Sequence, residues 1–318
     1  MKIVLPGGTG QVGTLLARTF AKDGHDVVVL SRRPTPETNW RVAVWDAETL
    51  GDWARELEGA DAVINLAGRS VNCRYTPENR RVIVESRTHS TKIIGQAIAA
   101  AKNPPAVWLQ AATATIYAHR YDAPNDEATG IIGGDEPNAP DTWKFSIEVA
   151  KAWERALDES QTPDTRKVAL RSAMIMSPDK DGVFDVLLGL VRRGLGGKSG
   201  NGRQHVSWLH EKDFIRAIYF LIERGDLAGP VNLAAPAPLP NAEFMRDLRR
   251  AWGIGFGLPA TNWMLEIGAV FLRTETELIL KSRRVIPGRL LDAGFTFDFQ
   301  TGPEAAQDLC RRVRSRKQ

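Results

Sequence analysis

The feature that most constrains the fold is the glycine-rich segment near the amino terminus. Gly7, Gly10 and Gly13 follow a short apolar stretch at residues 2–6 and precede an amphipathic segment that ends near Gly24. A strand, a glycine turn and a helix in this order are typical of dinucleotide binding. Gly7 permits a tight turn, Gly10 lets the backbone approach a pyrophosphate, and Gly13 lets the helix pack on the strand. The alternative is a structural turn without a ligand.

The helix that begins after this turn predicts an anion site. Its first N–H groups have no partner within the helix, and the helix dipole places a partial positive charge there. We therefore expect Thr9, Gln11 and Val12 to contact the phosphates together with the three glycines.

The rest of the chain alternates between apolar runs and helical patterns. Each predicted strand is a continuous apolar run, which is typical of a parallel sheet covered on both faces. The further strands are expected at 26–30, 41–45, 60–66, 106–111 and 167–172, and the longer helices at about 77–102 and 143–160. The pattern predicts an α/β fold, a Rossmann-like doubly wound parallel sheet.

Three segments interrupt the alternation. Residues 119–142 are rich in Asp, Asn, Pro and Gly, residues 194–204 are rich in glycine, and three prolines fall within 235–243. Long loops in compact domains often cover a ligand. We predict a nucleotide-binding domain over 1–235 and a smaller α+β lobe over 236–318 that acts on the substrate or as a lid.

The residues that follow the second strand indicate which dinucleotide binds. An acidic residue at this place binds the ribose hydroxyls of NAD, whereas the chain has Ser31, Arg32 and Arg33. An arginine donates charge-assisted hydrogen bonds to a 2′-phosphate that a carboxylate would repel. Ser31 and Arg32 therefore favour NADP(H). The alternative is that the arginines only solvate the end of the strand.

Charge and composition argue against nucleic acid, a metal ion or a membrane as a partner. The net charge is +4, and the last eight residues carry five cations and no acid; subtracting those five from +4 leaves −1 for the rest. We therefore expect no nucleic-acid partner, and a basic tail that is a solvated helix end or a disordered terminus. Two cysteines and five scattered histidines predict no metal site and a reducing, cytoplasmic location. No apolar run is long enough to predict a membrane partner or a secretion signal.

Several segments carry a resemblance to a known family. GGTGQVG, SRRP and VINLAG at 63–68 resemble an extended short-chain dehydrogenase/reductase, and longer segments such as LVRRGLGGKSGNGRQHVSWLH and RVIPGRLLDAGFTF narrow the likeness. Together they resemble the atypical YfcH-like family of nucleotide-sugar epimerases, over residues 2 to 308. Residues 240–300 resemble that family's small domain of unknown function.

The resemblance implies further residues at the site. The cofactor-contacting residues would be Asp46, Leu66, Ala67, Gly68, Arg87 and Ile175, and Thr113 would hold a substrate oxygen. By this likeness Asp46 contacts the adenine, the 66–68 turn lies under the adenosine and pyrophosphate, and Ile175 packs near the nicotinamide. Three alternatives stay open: Asp46 begins a helix, Arg87 is a surface cation, and Thr113 is an ordinary strand-end hydroxyl.

The sequence departs from the superfamily at its catalytic pair. The pair is Tyr-x-x-x-Lys, one helical turn apart, and none of the four tyrosines is followed by a lysine at that distance. Counting along the helix at 143–160 places Ser146 where the tyrosine belongs and Ala150 where the lysine belongs. Lys151 is one residue off, about 100° around the helix. Tyr117 lies near Thr113 and is the remaining candidate for a catalytic hydroxyl; the alternative is that it only packs.

Two functions follow from these residues. The first is an NADP(H)-dependent oxidoreductase or epimerase with an unusual acid/base, acting on a small polar substrate such as a nucleotide-linked one. The second is a non-catalytic NADP(H)-binding sensor or partner-binding protein, and a purely structural scaffold is a third reading. Both a monomer and a homodimer remain open.

Overall fold

A parallel sheet forms the centre of the molecule. The computed structural model describes residues 1–34, 38–261, 263–265 and 275–316. Within these residues seven parallel strands lie in the order β10-β6-β5-β4-β1-β2-β3. The order reverses direction beside β1, and this is the place where doubly wound sheets bind ligands, beyond the carboxyl ends of the strands. The predicted fold class is therefore confirmed.

The elements follow the predicted alternation closely. In chain order the strands are β1 (Lys2–Pro6), β2 (Asp26–Ser31), β3 (Arg41–Val44), β4 (Ala62–Asn65), β5 (Val107–Thr113), β6 (Arg166–Ser172), β7 (Met174–Met176), β8 (His205–Val206), β9 (Trp208–His210), β10 (Gly229–Leu233) and β11 (Leu239–Pro240). The α-helices are α1 (Gln11–Lys22), α2 (Pro77–Ala100), α3 (Asp141–Asp158), α4 (Val183–Arg192), α5 (Glu211–Glu223), α6 (Asn241–Trp252), α7 (Glu277–Leu280), α8 (Gly288–Asp292) and α9 (Gly302–Ser315). Short 3₁₀ turns cover Asp52–Leu57 and Ala114–Ile116.

Helices on both faces bury the sheet in two separate layers. On one face Leu16 and Phe20 of α1 pack with Phe214 and Leu221 of α5. On the other face α2 covers the sheet, and its Ile94 packs beside strand residues. Because both faces are covered, the central strands are mostly apolar on both sides rather than alternating.

The smaller lobe is built from both sides of the predicted boundary. Its core joins α6 and α9 to α4 and to Trp208 of β9. In the opposite direction, Phe295 and Phe297 pack into the core of the main sheet. The division between 235 and 236 therefore does not coincide with a division between cores. The lobe is mainly helical, with the described strand β11 pairing with β8.

The described part of the basic tail, residues 311–316, is the end of a helix. Residues 311–315 belong to α9, and their cations are paired within the chain: Arg312 with Glu211, and Arg314 with the carbonyl oxygen of Trp252 at 2.9 Å. These intramolecular pairs explain why a positive net charge need not indicate a nucleic-acid surface.

Candidate cofactor-binding site

Two of the three motif glycines are required by the protein itself. Gly7 has a φ of 72°, and a Cβ there would come within 2.6 Å of the Ala67 backbone. A Cβ on Gly13 would come within 2.5 Å of Gly8. A side chain at Gly13 would push α1 away from the glycine turn, and one at Gly7 would push that turn away from the backbone of Leu66 and Ala67.

Gly10 is different, because nothing within the protein requires a glycine there. Its φ is −71°, which any residue adopts, and the nearest atom to an added Cβ is the Gly7 oxygen at 3.9 Å. Gly10 lines the cleft described below. The open space beside it is therefore available to a ligand that approaches the backbone.

The N-terminus of α1 adds an electrostatic reason for an anion at this place. Among residues 1–34, no side chain caps the helix at Gly10, and its first turn holds no acidic residue. Its first N–H groups are thus left for solvent or a ligand, and the helix dipole favours negative charge there.

A cleft of about 500 Å³ opens in front of this helix end. It is bounded by the glycine turn, the ends of β2 and β3, the turn after β4 and one face of α2. The lining residues are Gly7, Thr9, Gly10, Leu30, Ser31, Arg32, Trp45, Asp46, Ala47, Glu48, Leu66, Ala67, Gly68, Arg69, Arg81, Val82, Glu85, Ser86 and His89. The structure thus brings together most of the residues predicted to contact the cofactor.

The wall at the ends of β2 and β3 combines an exposed cation with an engaged carboxylate. Arg32 is exposed and borders the cleft. The Asp46 carboxylate accepts hydrogen bonds from the backbone N–H groups of Glu48 and Thr49, each at 2.9 Å. The Thr49 hydroxyl also donates to it, and these bonds lower the pKa of Asp46 to about 2. Asp46 therefore organises a turn and stays ionised in the cleft wall.

The turn after β4 is held by a residue that sequence reasoning missed. Asn65 is fully buried, accepts a hydrogen bond from the Ala67 N–H at 3.0 Å and donates one to Gln110 at 2.9 Å. This pair fixes Leu66, Ala67 and Gly68 against the glycine turn. The signal was present in VINLAG, because a polar residue inside an apolar strand has to find a buried partner.

Five predicted contacts are absent from the cleft lining: Gln11, Val12, Gly13, Arg87 and Ile175. Arg87 is buried beneath Gly68, donates to the carbonyl oxygens of Arg69 and Ile83, and stacks on Trp153. Burial lowers its pKa to about 10. It therefore supports the cleft floor from behind and is not a surface cation, and its expected contact with the cofactor stays a prediction.

Val12 and Ile175 are likewise not part of the cleft lining. Both are half-buried and pack against the main core. The Gln11 side chain reaches across to Gly182, the residue before α4. For Gln11 and Val12, the backbone at the start of α1 is the part that can meet a ligand.

One face of α2 closes the cleft, and the sequence analysis did not identify it. The residues are Arg81, Val82, Glu85, Ser86 and His89. Their three- and four-residue spacing places them on one side of the helix. Arg81 and Glu85 form an ion pair at 2.7 Å, so part of this face is neutralised.

The candidate catalytic residues Thr113 and Tyr117 lie in different surroundings. Thr113 ends β5 and is half-buried, and its hydroxyl accepts a hydrogen bond from the Thr115 N–H at 3.1 Å. Tyr117 is 2% exposed; its hydroxyl donates to Asn232 at 3.0 Å and accepts from Arg171 at 2.9 Å. The hydroxyl of Tyr117 is thus engaged both as a donor and as an acceptor. This agrees with the alternative that Tyr117 only packs. The acid/base prediction for Tyr117 finds no support in this geometry.

The helix α3 corresponds to the one that carries the catalytic pair in the superfamily, but it has neither the tyrosine nor the lysine at the expected positions. Ser146 is half-buried on α3, and Ala150 is buried at 1% exposure. The Lys151 amine lies beside Gly134, in the loop before α3. Lys151 therefore faces the loop, as the offset of one residue predicts.

Comparisons with known proteins agree with this geometry. Residues 3–234 match the NAD dependent epimerase/dehydratase family, and residues 260–309 match a domain of unknown function, DUF1731. The first match covers more than two thirds of the chain. The chain belongs to the NAD dependent epimerase/dehydratase family.

Individual relatives cover nearly the whole of this epimerase-family chain. The epimerase family protein SDR39U1 of Bos taurus is 31% identical over 94% of the chain and 96% of its own length. The epimerase family protein YfhF of Bacillus subtilis is 28% identical over 94% of each chain. A crystal structure of human SDR39U1 with NADPH superposes with a TM-score of 0.84 at 28% identity, covering 98% of this chain and 99% of that one. The predicted family resemblance is confirmed.

Two kinds of feature, a metal-binding cluster and a membrane-spanning helix, are absent from the described residues. No group of His, Cys, Asp and Glu side chains there is arranged to hold a metal ion. Likewise, in that part of the chain, no helix has the length and apolar character to cross a bilayer.

Proposed function

We propose that the chain binds NADP(H) in the cleft, with the pyrophosphate over Gly10 and the N-terminus of α1. The observation that carries the proposal is Gly10: it lines the cleft, and neither its φ nor its packing requires a glycine. Gly7, Gly13 and Asn65 preorganise this end of the cleft. When bound, the cofactor supplies or accepts a hydride.

Arg32 is the residue proposed to select the phosphorylated dinucleotide. It stands where an NAD enzyme has an acid, is exposed to the cleft, and can pair with a 2′-phosphate. The NADPH in the crystal structure of human SDR39U1 supports the same assignment. Ser31 and the Asp46 turn would form the neighbouring wall, toward the adenosine.

The proposed activity is that of an oxidoreductase or epimerase on a small polar substrate in the cytoplasm. Thr113 ends its strand at the same carboxyl edge of the sheet and is the proposed contact to a substrate oxygen. A nucleotide-linked substrate is one class to test, since solved structures of related fold include UDP-N-acetylglucosamine 4-epimerases.

A non-catalytic NADP(H)-binding role is the second candidate. It is favoured by the missing Tyr-x-x-x-Lys pair and by Tyr117, whose hydroxyl is held by Arg171 and Asn232. One experiment tests cofactor binding and catalysis separately. Fluorescence titration with NADPH and NADH tests the cofactor, and turnover of nucleotide sugars and simple carbonyl compounds tests catalysis. Tight NADPH binding without turnover of any compound supports the sensor, and equal weak binding of both dinucleotides contradicts the cofactor assignment.

A further inference from the structure

A chain of hydrogen-bonded side chains includes the position on α3 where the superfamily has its catalytic tyrosine. Ser146, at the tyrosine's place on α3, donates to Glu277 Oε2 at 3.0 Å. The other oxygen, Glu277 Oε1, accepts from Arg283 at 2.7 Å. The Tyr75 hydroxyl lies 3.5 Å from Ser146 Oγ. Because Ser146 gives its single proton to Glu277, Tyr75 is the donor in that contact.

This chain of contacts lies at the ligand-binding edge of the sheet. The helix α3 connects two parallel strands, β5 and β6, so it runs back across the sheet and its first turns lie at the carboxyl edge. Arg283 also donates to the hydroxyl of Thr115, which follows directly after β5. The cluster therefore spans from the end of β5 to the start of α3, beside Thr113.

The charged members come from one short segment near the carboxyl terminus. Glu277 and Lys281 are each 1% exposed, and Arg283 pairs with Glu277. The Lys281 amine donates to the Thr115 carbonyl oxygen at 2.7 Å, and burial together with Arg283 lowers its pKa to about 8. Glu277 and Lys281 are buried charges and Arg283 is a half-buried one; burying charges costs free energy, and such clusters are common at functional sites.

We propose that Ser146 and Glu277 form a proton relay that replaces the missing catalytic pair. The proposal rests on the function proposed above and deepens it: the substrate would be a secondary alcohol or the corresponding carbonyl compound. Ser146 is the catalytic residue that meets the substrate oxygen, and its half-buried position leaves it access. Glu277 is the acceptor behind it, and Tyr75 is a positioning residue.

The cofactor exchanges the hydride, so the chain has to move only one proton. In the oxidising direction the substrate O–H bond breaks and its electron pair becomes the second C–O bond. That proton goes to Ser146 Oγ, while the proton carried by Ser146 goes to Glu277 Oε2. Reduction reverses both transfers. Tyr75 holds Ser146 in line and stays protonated, because burial raises the pKa of its phenol.

The test uses the full chain with NADPH and a fixed set of carbonyl probes: 9,10-phenanthrenequinone and a series of aliphatic and aromatic ketones. The variants are Ser146→Ala, Glu277→Gln, their combination, and Ser282→Ala. Ser282 is the matched control, since its buried hydroxyl ties the same segment to the Arg120 carbonyl oxygen but does not join the relay. NADPH affinity by fluorescence and thermal unfolding are measured for each protein.

The relay predicts a loss of kcat of about 100-fold or more in Ser146→Ala and in Glu277→Gln, the usual effect of removing general acid/base assistance. The KM and the NADPH affinity should stay within about twofold, and the double variant should be no slower than the slower single variant, because both residues act in one path. Ser282→Ala should keep the wild-type rate.

Three results would overturn the relay while leaving NADP(H) binding intact. They are wild-type kcat in Ser146→Ala, an equal loss in Ser282→Ala, and a wild-type protein that binds NADPH but reduces none of the probes. Glu277→Gln removes charge from a buried cluster and can unfold the chain; Ser146→Ala changes one neutral hydroxyl and keeps the test decisive. Failure of the wild type to bind NADPH would instead overturn the proposed function.

Discussion

The two ends of the candidate site are built in different ways. The end around Gly7, Gly10 and Gly13 is made of backbone: a positive φ, two close approaches and a free helix terminus. The end around Ser146 is made of side chains that arrive from three distant parts of the chain. The first depends on spacing within seven residues, and the second on how the whole chain folds. A family can therefore keep one cofactor end while it changes the chemistry at the other.

The largest expected effect distinguishes Gly10, which borders the cleft, from Gly13, which the packing of the protein requires to be glycine. Gly10→Val should weaken NADPH binding by at least about 100-fold, about 2.7 kcal/mol, because the side chain fills the space proposed for the pyrophosphate. It should lower the free energy of unfolding by about 1 kcal/mol, the ordinary cost of a poorer N-cap. Fluorescence titration and denaturant unfolding measure the two quantities.

Gly13→Val is the matched control for Gly10→Val. Its side chain would collide with Gly8, so the free energy of unfolding should fall by about 3 kcal/mol or more. Normal NADPH affinity in Gly10→Val would mean that this glycine serves only the turn, and the comparison between the two ends would lose its basis.

The next effect concerns the choice of dinucleotide. Arg32→Ala should weaken NADPH binding by about tenfold to a hundredfold, about 1.5–3 kcal/mol, through loss of one charge-assisted contact, and should leave NADH affinity unchanged. Arg33→Ala is the control, because Arg33 is exposed but does not line the cleft. Equal losses in both variants would point to a general charge effect instead of a phosphate contact.

A smaller effect tests whether Tyr117 stabilises the fold or takes part in catalysis. Tyr117→Phe removes one donor and one acceptor from a buried group with Asn232 and Arg171. The free energy of unfolding should fall by about 1–3 kcal/mol, while NADPH affinity and any turnover stay at wild-type values. A loss of turnover with unchanged stability would return Tyr117 to the catalytic set.

The sequence predicted the cofactor end because its signals are local. The glycine spacing, the basic residues after β2 and the continuous apolar strands each depend on a few consecutive residues. The seventh strand of the sheet, β10 at 229–233, was missed because it begins with Gly and Pro, which are typical of turns.

The chemical end could not be predicted in the same way. Ser146 was identified only as the place where the tyrosine is absent, and nothing near it in sequence points to Glu277, 131 residues further on. Arg87 shows the same limit: its sequence position fits a cofactor contact, but packing against Trp153 places its charge behind the cleft floor. Side chains from distant segments meet only after the chain has folded.

A crystal structure of the NADPH complex tests the central claim most directly. The account predicts the pyrophosphate over Gly10 at the N-terminus of α1, the 2′-phosphate beside Arg32, and the nicotinamide directed toward Thr113 and Ser146. A dinucleotide bound elsewhere, or one whose nicotinamide points away from Ser146, would contradict it.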